Sequence, residues 1–116
     1  TTEIYTLSLH DALPIYAIKI ANQYADVLSQ RFNLSRIILF GSYAKGNFHE
    51  DSDIDIAVVF NDFSNLVEMQ LELMRLRRKI DSRIEPHPFR ESEFNIFNPI
   101  VYEILSYGKE IRNNVA

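Results

Sequence analysis

An α/β (α+β) fold, with helices packed on a small sheet, follows from three observations. Residues 36–40 and 53–60 are short runs rich in β-branched and other apolar side chains, too short for helices and suited to buried strands. Residues 16–32 and 66–80 instead repeat apolar positions at intervals of three and four, the pattern of helices with one buried face. The order helix, strand, loop, strand, helix, strand, helix then runs through the chain with no internal repeat or low-complexity linker, so helices layered on one sheet satisfy every apolar face.

Each element has a local reason. In residues 16–32, Ala17, Ile20, Ala21, Tyr24, Val27 and Leu28 form the apolar stripe, while Lys19, Asn22, Gln23 and Asp26 face water; Asn33 and Ser35 mark the exit. Residues 41–46 read as a turn with room for one helical turn, loosened again at Gly46 and Asn47. Residues 53–60 are apolar on both faces beyond two aspartates, which predicts a central strand. Asn65 and Glu68 have the spacing of a capping box before the second helix, whose stripe is Leu66, Met69, Leu73, Leu76 and Ile80. Arg75, Arg77, Arg78 and Lys79 suit the negative end of that helix and read as a solvated terminus. A third strand is predicted over 83–88, ended by Pro86 and Pro88. Proline at its first turn and Gly108 after its last bound a helix over 99–107, and residues 109–112 are either a last short strand or a tail.

Composition narrows the function classes. At 116 residues, 47% hydrophobic and 24% charged, the chain suits one domain with one modest core. Having no cysteine, it has neither a disulfide framework nor a thiolate metal site, which fits a cytoplasmic setting. No apolar run approaches the roughly 20 residues of a membrane span. A net charge of −4 argues against a general nucleic-acid-binding surface, which carries a basic excess.

The first fifteen residues, TTEIYTLSLHDALPI, stand apart. They resemble the translation of a widely used sequencing adapter, so the domain is expected to be residues 16–116, with 1–15 a non-native addition excluded from fold and site reasoning. On this expectation His10 and Asp11 belong to no site, and the natural start of the first helix lies outside the chain.

Residues 39–60, LFGSYAKGNFHEDSDIDIAVVF, carry the chemistry. Asp53 and Asp55 stand two apart, so on a strand both carboxylates project from one face. Side by side they repel unless a cation lies between them. Gly41 and Ser42 end the preceding strand and offer backbone N–H groups and a hydroxyl, donors suited to phosphate. A phosphate grip beside a divalent-metal grip is the minimum apparatus of phosphoryl or nucleotidyl transfer.

Gly-Ser, ten intervening residues and Asp-x-Asp resemble the signature of the DNA polymerase β-like nucleotidyltransferase superfamily. The fuller run FGSYAKG…SDIDIAVV is similar to its small bacterial branch, the minimal nucleotidyltransferase (MNT) domain proteins, and the likeness extends from about Tyr16 onward. The resemblance implies a small mixed β-sheet with helices packed on it, the polymerase β-like nucleotidyltransferase fold. It implies Asp53 and Asp55 as Mg2+ ligands, and Gly41 and Ser42 as holders of the β- and γ-phosphates of ATP or another nucleoside triphosphate. An acceptor hydroxyl would attack the α-phosphorus and release pyrophosphate. The third carboxylate that the superfamily takes from a later strand is assigned to Glu85, where aspartate is more usual, with Asp81 second. Similar small proteins are antitoxins that modify a tyrosine of a HEPN-class toxin, which makes a HEPN-domain protein the implied partner. An aminoglycoside-type small-molecule acceptor, or an antitoxin that only binds, are the alternatives.

Other residues stay open or bland. Lys45 is divided between a phosphate contact and a solvated loop; His49, Glu50 and Asp51 read as solvated loop; His87, between two prolines, reads as structural. Phe89, Phe94, Phe97, Tyr102 and Tyr107 read as core or a dimer face.

Overall fold

The computed structural model describes the backbone of residues 9–114 and the side chains of residues 15–114. A long helix α1 (Leu9–Ser29) leads into strand β1 (Leu34–Phe40). One helical turn, α2 (Ser42–Lys45), and a loop precede β2 (Ile54–Phe60). Helix α3 (Leu66–Leu76) tightens into a 3-10 turn (Arg77–Lys79) before β3 (Ile84–Arg90). A second 3-10 turn (Glu91–Glu93), helix α4 (Pro99–Tyr107) and β4 (Lys109–Asn113) complete the chain. The sheet order is β3-β2-β1-β4, with β1 antiparallel to β2 and β4, and β2 parallel to β3. The α+β class and the mixed sheet are therefore as expected.

The strands sort their side chains by alternation. Ile37 and Leu39 of β1, Ile54, Ile56, Val58 and Phe60 of β2, and Ile84 of β3 face the main core, where Ala17, Tyr24 and Leu28 of α1 and Leu73 and Leu76 of α3 close over them. Ile38, Phe40 and Ala57 point the other way and meet Ile104 of α4, with Phe89 and Phe94 alongside. Buried apolar area is the main stabilising term on both faces. β2, apolar on both faces and flanked by β1 and β3, is central as expected.

The boundaries differ from expectation where neighbours decide them. α1 begins at Leu9, inside the segment set apart, because adding a turn to an existing helix costs far less than nucleating one. Burial starts later: Ile15 and Tyr16 are exposed, whereas Ala17 is fully buried. Residues 1–8 and the side chains of His10 and Asp11 lie outside the described residues. The expected third strand does not end at its prolines. β3 is an edge strand, and the backbone of Pro86 turns outward, its carbonyl accepting from Gln70 Nε2 at 2.8 Å. The N–H groups that proline lacks are on the side where no strand pairs, so the ladder to β2 runs unbroken through Arg90. Asn65 caps α3 as expected, its Oδ1 accepting from Glu68 N at 2.9 Å. Residues 109–113 form a strand rather than a tail, paired to β1.

Candidate active site

Three strand ends meet at one end of the sheet: the C-terminus of β1 and the N-termini of β2 and β3. Phe40 lies opposite Asp55, and Asp55 opposite Glu85. Residues opposed in a ladder share a face, so Asp55 and Glu85 stand side by side on the α4 side of the sheet, both half-buried. Asp53 is exposed and falls one residue before β2, not within it as expected, because the ladder starts with Ile54, whose N–H donates to Arg83 O at 2.9 Å.

Gly41 shows why the turn after β1 needs glycine. Its φ of 76° and ψ of −150° lie where L side chains are strained, and a Cβ there would sit 2.3 Å from Asp55 Oδ2. The Gly41–Ser42 turn thus lies directly against one oxygen of Asp55. The Gly41 carbonyl accepts from Ala44 N at 3.1 Å and Lys45 N at 3.0 Å, and Gly46, left-handed at φ 85°, closes the helical turn. Tyr43, stacked on Phe48 with ring centroids 4.9 Å apart, anchors this turn in the main core and leaves Ser42 half-buried at its start.

The other nominated residues separate clearly. Asp81 lies before β3, and its carboxylate is taken by Arg83, accepting from the backbone N–H at 2.8 Å and pairing with the guanidinium at 3.0 Å. That guanidinium holds Asp81 below the usual carboxylate range. Of the two candidates for a third carboxylate, only Glu85 is opposite Asp55. Lys45 is not brought to the carboxylates: its ammonium pairs with Glu103 of α4 and lies over the Tyr107 ring, 5.3 Å from the centroid.

Two contacts were not anticipated. His87 Nε2 lies 3.0 Å from Asp55 Oδ1, and Glu103 reaches Lys45. Both depend on partners far along the chain; the only advance signal for His87 was its shared strand parity with Glu85. Beside His87, an apolar groove of about 420 Å3 runs between α3 and β3, lined by Leu66, Val67, Leu71, Pro88 and Phe89 among others.

The donor chemistry fits a hard divalent cation, since Asp53, Asp55 and Glu85 offer only carboxylate oxygens. Among the described residues, no three such side chains converge as a ready cage. Mg2+ keeps several waters and takes further ligands from substrate phosphates, so carboxylates supply only part of its shell.

Comparison with known proteins bears on family and fold. Residues 21–111 match the family described as "Nucleotidyltransferase domain". The chain is 33% identical over 81 residues to the Methanocaldococcus jannaschii protein named "Putative protein adenylyltransferase MJ0141", covering 67% of this chain and 79% of that one. It is 32% identical over 79 residues to the protein adenylyltransferase MntA of Shewanella oneidensis, spanning 67% of this chain and 53% of that protein's length. Among solved structures, a toxin–antitoxin MntA-HpeT mutant matches with a TM-score of 0.62 and 28% identity, over 80% of this chain and 72% of that one. The structure of a "putative nucleotidyltransferase from Sulfolobus solfataricus" shares the fold with a TM-score of 0.68 at 20% identity, over 94% of this chain and 91% of that one. With the Gly-Ser turn packed on Asp55, the mixed sheet and this match, the chain belongs to the nucleotidyltransferase domain family, as a minimal, adenylyltransferase-like enzyme.

Proposed function

We propose that the chain is a Mg2+-dependent nucleotidyltransferase that moves AMP from ATP onto a hydroxyl of a protein acceptor, a tyrosine of a HEPN-type toxin, and so acts as its antitoxin. The observation that carries this reading is the contact of the Gly41–Ser42 turn with Asp55, which sets donors for phosphate against a carboxylate for metal. Relatives named as protein adenylyltransferases, and a toxin–antitoxin complex among the similar structures, support a protein acceptor. ATP supply puts the reaction in the cytoplasm. The domain in this reading is residues 16–116, which contain the whole family match.

In this reading Gly41 and Ser42 hold the β- and γ-phosphates, and Asp53, Asp55 and Glu85 hold the metal. Bound Mg2+ supplies charge stabilisation to the attacking and leaving oxygens. The chain's own residues do the rest. Glu85, opposite Asp55, orients the acceptor hydroxyl and takes its proton as the new O–P bond forms at the α-phosphorus and the bond to pyrophosphate breaks. Lys45, exchanging Glu103 for phosphate, adds positive charge to the triphosphate.

The test is transfer of α-phosphate label from ATP, with Mg2+, to the protein encoded beside this one. The parent should label it, Asp55→Ala should lose at least about 100-fold, and Lys45→Ala should only weaken transfer. No label from the parent, with partner binding undiminished in an Asp53→Ala, Asp55→Ala double variant, would replace the enzyme reading with a binding-only antitoxin.

A further inference from the structure

We infer that His87 is a positioning residue: its imidazole fixes the Asp55 carboxylate so that the oxygen facing the Gly41–Ser42 turn is the one offered to the metal. This rests on the metal-site reading above and adds to it a residue that touches neither metal nor nucleotide.

The two oxygens of Asp55 have different surroundings. Oδ1 lies 3.0 Å from His87 Nε2, the distance of a good hydrogen bond with the imidazole donating. Oδ2 lies against Gly41, so close that a Cβ on residue 41 would overlap it. One oxygen is thereby committed sideways to β3, and the other is aimed at the turn. A carboxylate with only one neighbour could rotate about its Cβ–Cγ bond; with both oxygens placed, it is set before any ligand arrives. Outer hydrogen bonds of this kind orient carboxylate and imidazole ligands at metal sites generally.

The sequence around His87 is built to hold the ring in place. In the parallel ladder His87 lies opposite Ala57, the one β2 residue on this face small enough to leave space for an imidazole reaching back two positions to Asp55. Phe40, opposite Asp55 on the other side, meets the imidazole edge-on with centroids 4.9 Å apart and planes at 64°. Pro86 and Pro88 restrict the backbone on either side. The side chain is one-third exposed and otherwise buried, so a replacement of similar size is needed to keep its packing.

The experiment measures Mn2+ affinity by electron paramagnetic resonance, with the full chain and α,β-methylene-ATP, which cannot be cleaved at the α-phosphorus. His87→Phe keeps a ring on Phe40 but loses the donor, and should weaken Mn2+ binding by about 10-fold or more. His87→Gln presents an amide N–H near the position of Nε2, and should stay within about 3-fold of the parent. Thermal unfolding of the three proteins should coincide, separating positioning from folding. Equal Mn2+ affinity in the parent and His87→Phe would overturn the proposal, as would a Gln variant as weak as the Phe variant. A parent that binds no Mn2+ at all would overturn the metal-site reading itself, and this proposal with it.

Discussion

At the scale of single residues, the site is governed by how closely things approach. Gly41→Ala should be doubly costly: the backbone there lies in a region that only glycine occupies readily, worth about 1–3 kcal/mol, and the new methyl would push Asp55 Oδ2 aside. Urea unfolding should show the loss of stability and label transfer should fall with it; an alanine variant as active as the parent would show that the close contact is dispensable. Gly41, Ser42, Asp53 and Asp55 could be nominated from sequence because the chemistry needs them at a fixed separation along one short stretch. The contacts of His87 with Asp55 and of Glu103 with Lys45 could not. They join residues 32 and 58 positions apart, and they exist only because β3 pairs in parallel register and α4 lies beside the turn.

Among the elements, α1 and α3 are tied by more than apolar contact. The buried Tyr24 hydroxyl donates to the Leu73 carbonyl at 2.6 Å. Burial pushes the phenol well above its usual range, and the nearby Arg77 only partly offsets this. The phenol therefore stays neutral in the folded protein while the unfolded chain ionises near its ordinary value of 10.0. Stability from this group is complete below that pH and is lost as pH rises above it. Tyr24→Phe should cost about 1 kcal/mol in neutral urea titrations, and its stability should fall less steeply than the parent's above pH ~10; parallel curves would refute the burial argument. Helix α4 was legible from end to end because its start and stop signals, Pro99 and Gly108, are local. The end of β3 was misread at its prolines because tolerance of proline depends on which side of the strand has a neighbour, a fact of sheet order and not of sequence.

For the whole molecule, the packing of helices on one sheet could be anticipated from periodicity, since an apolar face needs a cover. Strand order could not, because it depends on how the β2–β3 crossover and the returning β4 place themselves. The prolines of β3 have a consequence at this scale. Along the free margin of that strand, two positions that would present N–H groups present none, and the Pro86 carbonyl is already held by Gln70. Another chain arriving there finds no ladder to extend. Pro88→Val should restore an outward N–H and raise self-association at high concentration, read by sedimentation velocity, with unchanged sedimentation arguing against the idea. A partner that docks on this side of the enzyme must therefore be recognised by its side chains, so its surface can be selected for shape and chemistry while unrelated extended segments find nothing to hold.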